Sequence, residues 1–154
     1  MEATQKIRTI LTNSTFDVFE KMFFIYLEIS DAETHQYDLV TSIGFSGPLE
    51  GEIRICLSDS LVLAMAENMV SVDRNDVTRE MKEDCAKEAA NMVGGAFVRT
   101  LDTTKIFQLT IPVCLPDESA IPQASPGSDR EEWLHFESKQ GQLGIMVGLK
   151  AQGI

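Results

Sequence analysis

The sequence has few basic residues: 13 Lys and Arg stand against 24 Asp and Glu, a formal net charge of −11. Phosphate backbones and anionic membrane surfaces attract lysine and arginine, so this charge argues against nucleic acid and membranes as partners. No apolar run approaches the ~20 residues of a membrane span, and none follows the N-terminal residues as in a signal peptide. A protein partner with a basic or mixed face remains open.

Motifs for metal or cofactor chemistry are also scarce. The three cysteines, Cys56, Cys85 and Cys114, form no CxxC pair and are most simply buried, reduced thiols of a cytoplasmic protein. The two histidines, His35 and His135, occur in no HxxxH motif, which argues against a zinc site. There is no Walker loop and no GxGxxG motif, and a single Gly-Phe-Ser-Gly run is one residue short of GxSxG. We expect no metal or cofactor of the protein's own.

Hydrophobic periodicity predicts helices packed on a sheet. Apolar residues at helical spacing predict helices over about 14–28, 61–70 and 78–101, the second with a cap at Asp59-Ser60. Alternating apolar residues between glycine-rich turns predict strands over 37–45, 50–57, 105–113, 133–138 and 142–150. A helix followed by strands occurs twice, in two loosely similar halves. We expect an α/β protein of the α+β type, with helices packed on a largely antiparallel sheet.

The length predicts one domain over 1–154, with its core at about 14–150. Two segments within it have open alternatives. The first predicted helix is rich in aromatic residues, which suits a core helix and also a groove for a partner. Residues 114–131 combine prolines with acidic residues, which is typical of a long loop, and contact with a partner is the alternative.

The stretch from Asp84 to Phe97 has the clearest functional pattern. Asp84, Glu88, Asn91 and Gly95 are spaced to lie along one side of a helix, beside a broad apolar arc. Asparagine is a poor interior helix former, and each glycine of the Gly94-Gly95 pair costs roughly 1 kcal/mol relative to alanine. A glycine on the same side of the helix as a carboxylate and a carboxamide removes bulk, so another surface can come close.

This polar stripe, defined as Asp84, Glu88, Asn91 and Gly95, permits two interpretations. On pattern alone, a solvent-facing helix side is the simpler one. An asparagine carboxamide, however, can hold a water molecule by donating and accepting hydrogen bonds at once. A glutamate one turn away can pair with a cation on a docking protein. Such a pair suits hydrolysis of an already activated phosphoryl group, where catalysis is mostly positioning.

The pattern Asp84-xxx-Glu88-xx-Asn91, followed by Met-Val-Gly-Gly, resembles the signature of the CheC/CheX/FliY phosphatases of bacterial chemotaxis. The resemblance covers about residues 14–150: residues 16–22 resemble the first CheX helix, 47–57 the first hairpin and 141–149 the last strand. CheC-type members carry the motif on two helices. Here Phe23 stands three residues after Glu20, so the resemblance is to CheX. The family proline comes about two dozen residues after the asparagine, and of Pro112 and Pro116 we favour Pro112.

The resemblance implies a CheC-like two-layer fold with pseudo-repeated halves, and a phosphatase that hydrolyses the aspartyl phosphate of a CheY-like response regulator. It implies that Glu88 docks to the active-site lysine of the regulator and that Asn91 positions the attacking water. The docking surface would also include Asp84, Gly94, Gly95 and Pro112. The regulator would supply Mg²⁺ and the acceptor aspartate.

The resemblance further implies a homodimer. A non-catalytic domain that binds a response regulator, or serves as a signalling scaffold, is the alternative. The presence of both Glu88 and Asn91 at the family spacing favours the enzyme, because a domain that only binds would be free to lose either residue.

Overall fold

The computed structural model describes residues 2–32, 36–116 and 130–150, and within these ranges the chain forms three α-helices and one sheet of seven strands. The helices are α1 (Glu2–Phe23), α2 (Asp59–Val70) and α3 (Arg79–Leu101), and a 3-10 turn at Arg74–Asp76 precedes α3. The strands are β1 (Glu28–Ile29), β2 (Leu39–Ser46), β3 (Gly51–Leu57), β4 (Gln108–Leu109), β5 (Val113–Cys114), β6 (Arg130–Glu137) and β7 (Gln142–Leu149).

The sheet is built from two hairpins that meet at its centre. Its strand order is β1-β6-β7-β3-β2-β4, and β5 also pairs with β2. Each of these pairs is antiparallel. The β2–β3 hairpin and the β6–β7 hairpin join through β3 and β7, where Ile55 lies opposite Ile145. The predicted α+β architecture, with helices on an antiparallel sheet, is therefore confirmed.

One face of the sheet carries the three helices and the main core. Alternate residues of the central strands point into this core, as period-two side-chain direction requires. They include Ile43, Phe45, Ile53, Ile55, Ile145 and Val147. The helices contribute Leu11, Phe19, Met65, Val93 and Phe97, among others. The opposite face has a smaller cluster of Tyr37, Val40 and Cys56, against which Trp133 packs.

Helix α1 differs from its predicted bounds of 14–28 at both ends. It begins at Glu2, because Ile7, Ile10 and Leu11 continue the buried apolar side of the helix toward the N-terminus. It ends at Phe23, because Phe24 adopts a left-handed backbone with φ 57°. The N–H of Ile25 then donates to the carbonyl of Phe19 at 3.0 Å, so the chain folds back over the helix end.

Side-chain caps fix the starts of α2 and α3. Ser58 Oγ accepts a hydrogen bond from the Leu61 N–H at 3.3 Å, and Thr78 Oγ1 accepts one from the Met81 N–H at 3.1 Å. The cap of α2 is thus Ser58, and the predicted Asp59-Ser60 cap lies inside the first turn instead. Both Ser58 and Thr78 have extended backbones, as residues that precede a first helical turn do.

The predicted strand over 105–113 is instead the two short strands β4 and β5, which both pair with β2. Pro112 lies between them and interrupts this edge strand rather than ending it. Proline has no N–H to donate to a ladder and is tolerated at sheet edges. Of the predicted loop over 114–131, Cys114 belongs to β5, residues 130–131 begin β6, and residues 117–129 lie outside the described residues.

Gly51 has no room for a side chain, because the neighbouring strand and Phe45 pack closely against it. A Cβ at this position would overlap the carbonyl oxygen of Gly148 and lie 2.8 Å from Cζ of Phe45. We expect Gly51→Ala to lower the free energy of unfolding by about 2 kcal/mol or more. Gly44→Ala is the control, since its Cβ would meet the Thr110 methyl at 3.1 Å, which can shift. Urea titrations followed by circular dichroism measure both, and equal losses would contradict this account.

Candidate functional site

Helix α3 carries the candidate site and lies along β2. Near its start, Thr41 Oγ1 donates to the carbonyl of Ala86 at 3.4 Å. Near its end, the rings of Phe97 and Phe45 lie 5.8 Å apart, with a tilted arrangement. The side that faces the sheet and the other helices is formed largely by small residues, which let the helix approach closely. The fully buried alanines and cysteine among them are Cys85, Ala86, Ala89 and Ala90.

The opposite side of α3 presents Asp84, Glu88 and Asn91 of the polar stripe to solvent, whereas Gly95 is buried. Asp84 and Asn91 are exposed and Glu88 is half-buried. In the part of the chain that the structure describes, none of these three side chains makes a hydrogen bond or an ion pair. A carboxylate and a carboxamide, one turn apart on a rigid helix, are thus available to groups on a docking molecule.

The two glycines of α3 have different surroundings. A Cβ on Gly94 would lie 3.3 Å from Cγ2 of Ile43 and 3.8 Å from Cδ2 of Leu109, so Gly94 faces the sheet. The structure therefore places Gly94 in the helix–sheet contact instead of the predicted docking surface. Gly95 lies on the stripe, and the group nearest to a Cβ there would be the guanidinium of Arg99, at 3.2 Å.

Pro112 lies beside the middle of α3. Thr110 donates from its N–H to the carbonyl of Gly44, and Val113 pairs with Ser42, so Pro112 lies between two points of contact with β2. The strands that flank it contact α3: Leu109 Cδ2 lies near Gly94, and Cys114 Sγ lies 3.9 Å from the carbonyl oxygen of Glu83. The neighbouring Ile111 is 85% exposed. The interruption between β4 and β5 thus presents an apolar side chain to solvent at the sheet edge.

Arg99 extends the stripe by one more turn and was not identified from the sequence. It is exposed and follows Gly95 by four residues, the same spacing that separates Asp84 from Glu88. Side chains on a helix lean toward its N-terminus, and Arg99 accordingly reaches back over Gly95. The spacing alone, continued beyond Gly95, would have indicated this residue.

Helix α1 provides no second stripe. The position three residues after Glu20 holds Phe23, whose side chain is fully buried. Phe19 is also fully buried, and Phe16 packs edge-on against Phe136 with ring centroids 5.4 Å apart. The aromatic residues of α1 therefore form core rather than a partner groove.

The thiols have no environment that would activate them. Burial raises the pKa of Cys85 to about 11, and the nearby carboxylates of Asp84 and Glu88 raise it further. Burial also raises the pKa of Cys56 to about 12 and raises that of Cys114. These thiols are protonated near neutral pH, and the nucleophilic form of cysteine is the thiolate. The raised pKa values argue against a cysteine nucleophile at this site.

The described residues offer neither a metal-binding cluster nor a membrane-spanning helix. Residues 2–32, 36–116 and 130–150 contain no group of three or more His, Cys, Asp or Glu side chains that could hold a metal ion. His135 instead pairs with the hydroxyl of Tyr37, 2.7 Å from its Nδ1, on the sheet face away from α3. None of the helices described has both the length and the apolar character to cross a membrane.

Comparison with known proteins gives one family match. A family profile described as "Chemotaxis phosphatase CheX" matches residues 39–133, which include all of α3. No curated protein matched the chain in sequence.

Several solved structures share the fold. The chemotaxis protein CheX of Vibrio vulnificus is 21% identical, with a TM-score of 0.77, and the alignment covers 94% of this chain and 96% of that one. CheX in the CheX–CheY–BeF3–Mg²⁺ complex of Borrelia burgdorferi is 20% identical, with a TM-score of 0.74 and coverage of 93% and 97%. A CheC-like superfamily protein of Shewanella sp. PV-4 is also 20% identical, with a TM-score of 0.74 and coverage of 94% and 97%.

The raised pKa of Cys85 predicts a specific pH dependence of stability. The unfolded chain loses this proton above its usual value of 9.0, whereas the folded protein keeps it until about 11. The stabilisation is therefore complete below about pH 9 and is lost, by roughly 1–2 kcal/mol, as the pH rises through 11. We expect the difference in unfolding free energy between wild type and Cys85→Ala to shrink over this interval. Urea titrations at pH 8 and pH 11 measure it, and a constant difference would contradict the assignment.

Proposed function

The chain belongs to the chemotaxis phosphatase CheX family, and from this membership we propose that it hydrolyses the aspartyl phosphate of a CheY-like response regulator. The observation that carries the proposal is the outward face of α3. There Glu88 and Asn91 lie one turn apart on a helix held firmly against the sheet, with no hydrogen-bond or ion-pair partner among the described residues. In the related CheX structure from Borrelia burgdorferi, the bound protein is CheY.

Docking would lay α3 along the active site of the regulator. The Glu88 carboxylate pairs with the regulator's lysine through a charge-assisted hydrogen bond. Its half-buried position limits the directions in which the side chain can point. Asp84, one turn earlier, extends the same negative surface. Gly95, one turn after Asn91, is buried beneath the Arg99 guanidinium, so the regulator meets Arg99 at this level, and Ile111 and Pro112 form an apolar border at the neighbouring sheet edge.

Asn91 positions the water that attacks phosphorus. Its carboxamide oxygen accepts a hydrogen bond from the water while its amide group donates to an oxygen nearby. The water oxygen forms a bond to phosphorus as the bond from phosphorus to the aspartyl oxygen breaks. The products are the free aspartate carboxylate and inorganic phosphate, which retains the protons of the water. The regulator provides the Mg²⁺, and the contribution of this chain is alignment.

The rigidity of α3 is what makes such alignment feasible. Reactive groups must be held near their productive geometry, and side chains on a packed helix are held better than those on a loop. Ala86 and Ala90 bring the helix backbone onto the sheet, and the cap at Thr78 fixes its first turn. Asn91 has few rotatable bonds, so its carboxamide stays close to this fixed backbone.

The proposal includes a homodimer in the cytoplasm. Both ends of the described sheet are short strands, β1 on one side and β4 with β5 on the other, and open strand edges can pair with a second chain. Sedimentation equilibrium at micromolar concentration tests this part of the proposal. A monomer over the whole concentration range would contradict it.

Asn91→Ala is the principal test of the enzymatic proposal. We expect Asn91→Ala to dephosphorylate a CheY-like receiver about 100-fold more slowly than wild type does, because the attacking water is no longer aligned. Decay is followed after phosphorylation with acetyl phosphate and removal of the donor. Asn75→Ala, an exposed asparagine in the 3-10 turn, is the matched control and should behave as wild type.

The same assay discriminates catalysis from binding alone. A wild-type protein that binds the phosphorylated receiver without shortening its lifetime would indicate the non-catalytic signalling domain. An Asn91→Ala variant with full activity would remove the proposed mechanism.

Glu88→Ala should act on docking. We expect the KM for the phosphorylated receiver to rise by about tenfold or more, because the charge-assisted contact with the regulator's lysine is lost. Glu80→Ala, in the exposed first turn of the same helix, is the control. An unchanged rate at every receiver concentration would exclude Glu88 from the interface.

A further inference from the structure

We propose that Arg99 contacts the phosphoryl group of the docked regulator and stabilises the negative charge on its oxygens during hydrolysis. The inference rests on the proposed function, since it assigns an additional residue to the same reaction. It is carried by the position of the Arg99 guanidinium over Gly95, one turn from Asn91 on the polar stripe.

The geometry places a cation next to the water-positioning residue. Arg99 Nη1 would lie 3.2 Å from a Cβ at Gly95. Helix residues four apart have Cβ positions about 6 Å from each other, so the guanidinium lies within a short reach of whatever Asn91 faces. Gly95 favours this arrangement, because a Cβ there would be in tight contact with the guanidinium.

The lean of Arg99 toward the N-terminus of α3 is the usual one for a helix side chain, and it carries the guanidinium away from the terminal carbonyls. Arginine in a last helical turn commonly stabilises the terminal carbonyls, which belong to residues 98–101 in α3. The guanidinium instead lies over residue 95, a full turn toward the N-terminus. Within the described ranges Arg99 forms no ion pair, whereas Arg79 on the same helix pairs with Glu83 at 3.2 Å.

The charge pattern of the stripe points to an anionic ligand at this end. Asp84 and Glu88 are acidic and suit the lysine of the regulator, whereas Arg99 lies on the far side of Asn91 and is basic. The stripe thus matches a partner surface that presents a cation near Glu88 and an anion near Asn91.

An arginine suits the chemistry of phosphoryl transfer. Its planar guanidinium can donate two hydrogen bonds to phosphoryl oxygens, which lysine cannot do in the same geometry. As water attacks phosphorus and the bond to the aspartyl oxygen breaks, charge is spread over the phosphoryl oxygens, and a cation supplied by a second protein lowers the barrier. No proton is transferred to or from Arg99, so its role is electrostatic.

The experiment measures kcat and KM for wild type, Arg99→Ala, Arg99→Lys and the control Arg79→Ala, with one acetyl-phosphate-treated CheY-like receiver from the source organism. It also measures the Kd for that receiver with and without beryllofluoride, in Mg²⁺ buffer. We expect Arg99→Ala to lower kcat by about 100–1,000-fold, the range seen when one charge-stabilising donor is removed. Arg99→Lys should recover part of the loss.

The binding measurement separates phosphoryl contact from general docking. Arg99→Ala should reduce the preference for the beryllofluoride form over the free receiver, because only the former carries the phosphoryl mimic. Arg79→Ala should leave kcat, KM and the preference within about twofold of wild type, as expected for an exposed pair away from the site.

Each outcome bears on a different claim. A kcat within twofold of wild type for Arg99→Ala, or an equal loss of affinity for both receiver forms, overturns the role of Arg99 and leaves the phosphatase proposal intact. No acceleration by wild type with several receivers overturns the phosphatase proposal. In that case the contact between Arg99 and the phosphoryl group is still supported if wild type binds the beryllofluoride form more tightly than the free receiver and Arg99→Ala does not. If wild type shows no such preference, the contact is overturned as well.

Discussion

The close packing of α3 against β2 is the constraint on which the candidate site depends. Ala86, Ala90 and Gly94 face the sheet, and a single methyl group at Gly94 would press against Ile43. Because the helix cannot rotate without placing larger side chains against the sheet, the opposite side of α3 is fixed toward solvent. Glu88 and Asn91 are therefore held in place by residues on the buried side that never contact a partner.

The two halves of the protein share one architecture, but only the second half has a polar stripe on its helix. Each contributes a helix and a hairpin, and the hairpins pair through β3 and β7 at the centre of the sheet. In α1, Phe23 occupies the position that would correspond to Asn91 and is buried in the core. A large apolar residue there adds to stability and excludes a second polar stripe, so the proposed chemistry is confined to α3.

The surface chemistry of α3 suits a partner that brings its own reactive groups. The buried thiol of Cys85 is held protonated, and the described residues contain no cluster of metal ligands. What α3 offers is the carboxylate of Glu88, the carboxamide of Asn91 and, in the role proposed for Arg99, a guanidinium that lies over Gly95, one turn beyond Asn91. Hydrolysis of an activated phosphoryl group needs mainly such alignment and charge stabilisation, and an acidic chain of this kind is suited to a protein partner.

The sequence by itself determined the identity and order of the main elements, because periodicity and caps are local properties. It also determined the stripe from Asp84 to Gly95, since helical spacing fixes which residues share a side. Tertiary structure decided which way each residue faces and what lies next to it. Gly94 and Gly95 are adjacent and identical, yet one packs on Ile43 and the other lies under Arg99. Pro112 lies between β4 and β5 because both short strands pair with β2, and such long-range contacts leave no periodic signal in the chain.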